Sequence, residues 1–280
     1  MLDGCRRIFL FLFFAVLIGF TPRPMLGAPT AEKRSASPDS MVRLIHDRRG
    51  NWIALKAGLN LEFLTPRGRK IACRGELVYQ RLDEKILLKG FNEKNELLFV
   101  FKTLDRNFEL YLPLIAEDTR GSIFDLEDSP EIQSHLRALD LYRALKPGAI
   151  PMERMTSLPK RDGNVSIRIK KGKSGTLLSR ELLVSPKGDV LEEVFYSPEG
   201  MPAVEITRSD FSEIRNKTLP KTVFPRRIEI TAHPLQPEGG VKKTVLTFSR
   251  LELLSAIPES DFAITLPENT KRVNLENKPG

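Results

Sequence analysis

The three histidines and the adjacent carboxylates are residues of this chain whose chemistry could serve catalysis or metal binding. His46, His135 and His233 are widely separated, with no HExxH motif or other paired ligand spacing among them. Glu117-Asp118 and Glu192-Glu193 are neighbours in sequence, and on a strand such neighbours point to opposite faces. The chain also has no GxSxG, P-loop or GxGxxG motif. We therefore expect no enzyme activity, no metal site and no cofactor.

Lysines and arginines form four short clusters, several of which flank predicted turns: Arg67, Arg69 and Lys70; Lys170, Lys171 and Lys173; Arg226 and Arg227; Lys242 and Lys243. Solvated loops account for most clusters of this kind. If two or three of them converged at one rim of the fold, they could bind anionic head groups at about 1 kcal/mol per charge. The formal net charge is +8, but no stripe of interleaved aromatic and basic residues is present. We therefore expect no nucleic acid partner.

The N-terminal segment has the layout of a secretory signal peptide. Arg6 and Arg7 precede an apolar run over residues 8–20, followed by prolines and the small pair Gly27-Ala28. This run is shorter than the roughly 20 residues that a membrane-spanning helix needs. We predict a cleaved signal peptide over residues 1–28 and a flexible leader over 29–40; the alternative is a permanent membrane anchor.

The two cysteines agree with export. Cys5 would be removed with the signal peptide, and it precedes the apolar run, the wrong side for the acylated cysteine of a bacterial lipoprotein. Cys73 would then be alone, so no disulfide can form within the mature chain.

The rest of the chain is predicted to be mainly β with short helices. Met41, Leu44, Ile45 and Arg48 indicate a helix behind a cap at Ser37 or Asp39, ending at Gly50. Alternation with period two and tight turns then predict about eleven strands: 51–63, 70–81, 85–91, 96–104, 107–112, 164–170, 176–184, 190–196, 203–211, 223–232 and 242–254.

A second helix interrupts this meander of strands. It is predicted from Ser129, its N-cap, to Lys146, with an apolar stripe that includes Leu136 and Leu139. Residues 149–162 are predicted to be an irregular connection. Together these elements predict a single domain over residues 41–275, a curved antiparallel sheet or half-open barrel covered by short helices.

Four stretches of the sequence support a family resemblance: Trp-Ile-Ala-Leu-Lys-Ala at 52–57, Asn-Phe-Glu-Leu-Tyr-Leu-Pro at 107–113, the segment 219–228, and Ile-Pro-Glu-Ser-Asp-Phe at 257–262 followed by Leu266-Pro267. With the order of helix, long strand, meander, helix and meander, the chain resembles the periplasmic carriers and receptors of outer-membrane lipoproteins, the LolA/LolB-like group. The resemblance implies a half-open barrel whose apolar concave face, covered by helices, holds acyl chains.

The resemblance also implies a set of cavity residues, a location and partners. The cavity residues would be Leu59, Leu61, Phe99, Phe101, Phe195 and Ile230 on strands, with Leu136 and Leu139 on the covering helix. The protein would be a monomeric periplasmic carrier of lipid or lipoprotein acyl chains that meets inner- or outer-membrane transport proteins. The carrier role fits better than the receptor role, because no cysteine is placed for a lipid anchor. The alternative is a non-catalytic envelope sensor or protein-binding module whose apolar core is filled.

Overall fold

The computed structural model describes residues 37–50, 52–64, 68–105, 107–122, 138–145, 155–171, 177–214, 221–233 and 242–275. The predicted signal peptide and most of the predicted leader lie outside these residues. So do positions 129–137 of the predicted second helix, including His135 and Leu136.

Two α-helices and fourteen strands make up the described part of the chain. The helices are α1, Pro38–Arg49, and α2, Ala138–Leu145. The strands are β1, Ala54–Leu64; β2, Lys70–Gln80; β3, Lys85–Phe91; β4, Leu97–Leu104; β5, Asn107–Leu112; β6, Glu117–Ser122; β7, Met155–Pro159; β8, Val165–Lys171; β9, Leu177–Val184; β10, Val190–Tyr196; β11, Pro202–Ile214; β12, Thr222–Ala232; β13, Lys242–Leu254; and β14, Lys271–Asn274.

All fourteen strands belong to one curved sheet with the order β14-β6-β5-β4-β3-β2-β1-β13-β12-β11-β10-β9-β8-β7. Neighbours are antiparallel, except that β14 runs parallel to β6. The first strand, β1, lies near the middle, where it pairs with β2 on one side and β13 on the other. The sheet is open, since β14 and β7 each have a neighbour on one side only. The predicted fold class, mainly β in one curved sheet that is not closed, is confirmed.

The sheet has three more strands than the sequence predicted. β6 and β14 form one edge, and β7, which lies within the stretch predicted to be irregular, forms the other. β7 ends at Pro159, and an edge strand tolerates proline because one side of its backbone needs no ladder hydrogen bond. β14, one of the three strands that the sequence did not predict, pairs in parallel with β6.

Helix α1 begins and ends where the sequence predicts. Ser37 is the N-cap, its hydroxyl accepting a hydrogen bond from the Ser40 amide at 3.2 Å, and Pro38 takes the first helical position. Gly50 ends the helix with φ = 65°, a left-handed conformation that costs glycine little. A Cβ atom here would also lie only 2.6 Å from Thr222 Oγ1 on β12. The glycine therefore both ends α1 and lets it approach the sheet.

The two faces of the sheet carry separate apolar cores. We call one the helix face: its large core is built from alternate residues of β1–β5 and β11–β13 and is covered by Leu141, Ala144 and Leu145 of α2. We call the other the tail face, because Ile257 and Phe262 of the C-terminal segment cover the smaller core there.

Helix α1 packs farther along the helix face. Met41 and Ile45 contact a cluster on β8, β9 and β10 that includes Leu182. Leu182 pairs with Glu193, which in turn pairs with Ile206 of the large core, so all three side chains point to the same face. Two helices therefore cover different parts of one face.

Candidate functional site

Most of the predicted cavity residues meet on the helix face. Leu59, Leu61, Phe99, Phe101 and Ile230 are at most 6% exposed, and all belong to the core under α2. Phe195 is half-buried and packs against the same core. Leu139 lies in α2, but its side chain, like the whole of Leu136, falls outside the described residues. Whether these residues line a cavity stays a prediction.

Aromatic rings are packed edge to face within this core. The rings of Phe63 and Phe99 are 6.4 Å apart at 78°, and those of Phe224 and Phe248 are 5.3 Å apart at 89°. Phe99 lies directly against Gly90 of β3, where a Cβ atom would be 2.1 Å from the ring. Glycine at position 90 thus lets the ring lie flat on the neighbouring strand.

Polar bonds join α2 to the sheet at its margins. The Tyr142 hydroxyl donates to Glu84 Oε2 at 3.3 Å, and Arg208 Nη2 donates to the Ala144 carbonyl at 3.3 Å. Leu141 and Leu145 make apolar contacts with the core between these bonds. The described part of α2 is therefore an amphipathic helix that covers the core with apolar side chains and also makes polar bonds at its margins.

A buried ionic cluster lies beside this cover, and sequence reasoning missed it. Glu193 on β10 is fully buried between Arg180 on β9 and Arg208 on β11. Its Oε1 lies 2.5 Å from Arg180 Nη2, and its Oε2 accepts a hydrogen bond from Arg208 Nη2 at 2.9 Å. The alternation along β11 could have revealed it. Arg208 follows Val204 and Ile206 at every second position, so its side chain points to the same face, into the core.

The charges of this cluster act strongly on one another. Burial by itself raises the pKa of Glu193, but the guanidinium groups of Arg208 and Arg180 outweigh burial and hold that pKa below its ordinary value. The third arginine, Arg49 at the end of α1, has its pKa lowered to about 9, first by burial and then by the like charge of Arg208. Arg49 therefore remains charged at neutral pH, at a cost in stability.

Phe195 connects the cluster to the apolar core. The guanidinium carbons of Arg143 and Arg180 lie 4.6 and 5.5 Å from the centre of its ring. Phe195, a predicted cavity residue, thus packs against the apolar core and makes cation–π contacts with two arginines.

A groove of about 530 Å³ lies between β1, β2, β3 and β13 and the C-terminal segment. Its floor includes Gly58 and Val78, and none of the predicted cavity residues lines it. Both acidic and basic residues line it, and Lys56 Nζ forms a salt bridge with Asp261 Oδ2 at 2.6 Å. A groove of this mixed character gives no single ligand chemistry.

Two of the four basic clusters converge at one end of the sheet. Leu64 pairs with Lys70 of β2 on one side and with Lys243 of β13 on the other. Both lysines are paired with carboxylates, Lys70 with Glu62 at 2.9 Å and Lys243 with Glu229. Glu229 also binds Arg227 of a third basic cluster, so these cations meet carboxylates at this end of the sheet.

Among the described residues, the side chains considered for catalysis are not brought together. His46 is exposed, and His233 Nε2 lies 3.2 Å from Glu205 on the neighbouring strand. Glu193 points into the helix face, whereas Glu192, its neighbour, is half-buried on the other side. Across the described ranges, no group of three or more histidine, cysteine or carboxylate side chains could hold a metal ion.

Solved structures share this architecture at low sequence identity. A domain from Vibrio parahaemolyticus assigned to outer-membrane lipoprotein sorting superposes with a TM-score of 0.57 at 15% identity, over 79% of this chain and 94% of that one. A LolA superfamily protein from Nitrosomonas europaea superposes with a TM-score of 0.51 at 14% identity, and the match covers 81% of this chain and 98% of that one. The chain has a LolA-like fold. A DUF1329 family protein from Desulfovibrio piger is also similar, with a TM-score of 0.57 at 14% identity over 80% and 95%. No protein-family model and no curated protein sequence matched the chain.

On the helix face of this LolA-like fold, the described cavity residues predicted from the sequence lie beside the buried ionic cluster. In the part of the chain that the structure describes, neither helix has the length and apolar character needed to cross a bilayer.

Proposed function

We propose that this protein is a non-catalytic, monomeric carrier of the periplasm that binds the acyl chains of a lipid or lipoprotein between α2 and the helix face of its sheet. The observation that carries the proposal is the cover of that face. In a LolA-like fold, a large apolar face is covered by α2, an amphipathic helix that also makes polar bonds at its margins. Such a helix can lift and expose apolar surface to an acyl chain.

The location and the partners of this carrier follow from the same proposal. Export rests on the N-terminal segment with the features of a signal peptide. A carrier has to be loaded at one membrane and unloaded at another, so transport proteins of the inner and outer membranes would be its partners.

The packing of the core favours a second function. Leu61 and Phe101 are fully buried, as expected if the helix face is filled rather than hollow. The protein would then be an envelope sensor or protein-binding module of the same fold.

Native mass spectrometry of the protein purified from its own envelope fraction, followed by lipid extraction, separates the two functions. Recovery of stoichiometric lipid or acylated peptide supports the carrier. Protein that is repeatedly recovered empty and takes up no fluorescent fatty acid overturns the carrier and leaves the protein-binding function.

Two matched variants locate the site within the fold. Leu61 and Leu87 are both at most 1% exposed, but Leu61 lies in the helix-face core and Leu87 in the tail-face core. Leu61→Phe and Leu87→Phe should each destabilise the protein by about 1–3 kcal/mol through overpacking. Only Leu61→Phe should reduce uptake of the fatty acid, because it fills space beneath α2. Equal reductions in both variants would place binding elsewhere.

A further inference from the structure

The buried ionic cluster carries more positive than negative charge. We call Arg49, Arg180 and Arg208 the arginine group; within the described residues, the carboxylate of Glu193 lies against Arg180 and Arg208, so one carboxylate serves two of three guanidinium groups. Two further arginines lie at its margin, each with a partner of its own. Arg81 Nη1 donates to the Gly50 carbonyl at 2.7 Å, and Arg143 lies 4.0 Å from Asp140. The excess charge therefore belongs to the arginine group itself.

The three arginines come from three different elements, and Glu193 comes from a fourth, which fixes their positions. Arg49 ends α1, Arg180 and Arg208 lie on β9 and β11, and Glu193 lies between them on β10. Arg208 also bonds the Ala144 carbonyl at the end of α2, as a cation does favourably at a helix C-terminus. The group thus lies where both helices end against the helix face.

Arg208 has unused hydrogen-bonding capacity in this place. Its side chain is only 5% exposed, and Nη2 makes both of its bonds, to Glu193 and to Ala144. Within the described residues, its buried Nη1 has no hydrogen-bond partner. A buried guanidinium nitrogen without an acceptor is costly, so this arrangement is expected where an acceptor arrives from outside the chain.

The surroundings define the chemistry of that acceptor. Guanidinium groups bind carboxylate and phosphate oxygens in paired hydrogen bonds, and the strength of these bonds rises in a dry environment. On the other side, Phe195 carries Arg180 on its ring and packs against the large apolar core. A ligand with one charged end and one apolar end matches both surfaces.

We propose that the arginine group binds the anionic head group of an amphiphile, a carboxylate or a phosphate, whose chain lies against the helix-face core past Phe195. This inference rests on the proposed carrier function and names the class of its ligand. Lipids that carry a free anionic group would be preferred over neutral ones of the same chain length.

A binding assay with matched probes tests the inference on the full mature chain. The probes are a pyrene-labelled fatty acid, its methyl ester, and a lysophospholipid with a terminal phosphate of similar chain length. Wild-type protein should bind the acid or the phosphate at least tenfold more tightly than the ester, the factor that one charge-assisted bond supplies. Preference for the acid identifies a carboxylate ligand, and preference for the lysophospholipid identifies a phosphate ligand.

Two variants assign the preference to the arginine group. Arg49→Gln and Arg208→Gln should each reduce it severalfold while leaving binding of the ester unchanged. Because Arg208 also pairs with Glu193, Arg49→Gln is the safer variant if Arg208→Gln fails to fold. The control is Arg250→Gln in the tail-face groove, a highly exposed arginine whose loss should leave the preference intact.

The failures of the two proposals are distinguishable. Equal binding of acid, phosphate and ester overturns the head-group inference and keeps the carrier. Binding of none of the three probes overturns the carrier function itself. If millimolar inorganic phosphate alone binds the arginine group and the labelled probes do not, the site holds a free anion and the amphiphile inference is wrong.

Discussion

Replacing Glu193 with glutamine should destabilise this protein more than almost any other single polar substitution. The change keeps the shape of the side chain but removes the negative charge that lies 2.5 Å from Arg180 and 2.9 Å from Arg208. Breaking one side of a buried ion pair typically costs about 3–5 kcal/mol, because the remaining charge stays buried and unpaired. Here two cations are left facing each other. We expect a loss of about 3–5 kcal/mol at pH 7, or roughly 6–20 °C in melting temperature.

The pH dependence of this loss has a definite sign. The pKa of folded Glu193 is below its ordinary value, so its stabilising contribution is fully present above the pKa of the unfolded chain, about 4.5. That contribution is lost as the pH falls through the folded pKa. Wild-type protein and Glu193→Gln should therefore differ most at neutral pH and converge in acid.

Urea denaturation of both proteins at several pH values between 3 and 7 measures this difference. Glu252→Gln is the control, because Glu252 pairs with Arg250 at the exposed surface, where an ion pair contributes about 0–1 kcal/mol. A loss below about 1 kcal/mol for Glu193→Gln, or one that does not change with pH, would refute the claim that this carboxylate holds the cluster together.

Three further predictions concern other features of the fold. Arg49→Gln should raise the free energy of unfolding at pH 7, by about 1 kcal/mol, because burial and then the like charge of Arg208 disfavour the charge and lower the pKa to about 9; a clear loss of stability in urea would contradict this. Gly50→Ala should cost about 1–3 kcal/mol by the same assay, since it combines φ = 65° with a clash at Thr222, whereas Gly68→Ala, with φ = 75° and open space, should cost less. Cys73 should react slowly with a thiol reagent in the folded protein and rapidly in urea, because burial raises its pKa to about 11; equal rates would contradict its burial.

The stabilising effect expected of Arg49→Gln bears on function. A residue that lowers stability where it stands is typical of a site kept for binding. If Arg49→Gln is more stable than the wild type and has lost the preference for anionic probes, then Arg49 lowers the stability of the protein but contributes to binding.

Most of the sheet could be predicted because its strands alternate clearly. β1 is an example, since Leu55, Leu59 and Leu61 on one face are separated by polar or small residues on the other. β6 was missed because its sequence, Glu-Asp-Thr-Arg-Gly-Ser, has no apolar alternation. One of its buried residues is Asp118, whose carboxylate lies 2.7 Å from Arg120 Nε, and only the folded sheet supplies such pairing.

The apolar part of the candidate site could be predicted from the sequence in the same way. Its charged part could not, because charged residues do not reveal their partners in the sequence. Six of the eight predicted cavity residues were found in or against one core because apolar side chains at alternate positions face one way. The arginine group was missed because a charged residue normally indicates a solvated position. Its burial depends on Glu193 meeting arginines from two neighbouring strands, a condition that appears only once the register of β9, β10 and β11 is known.

The pairing of β1 with β13 also constrains how this chain can be assembled. Ala54 is opposite Leu254, about 200 residues later, so the middle of the sheet cannot close until nearly the whole chain is available. At 5–20 residues per second, synthesis of that interval takes about 10–40 s. During this time β1 has only β2 as a partner and presents an apolar edge to other chains. The seam between the two meanders thus forms only when β13 pairs with β1, and until then the free edge of β1 is open to pairing with another chain.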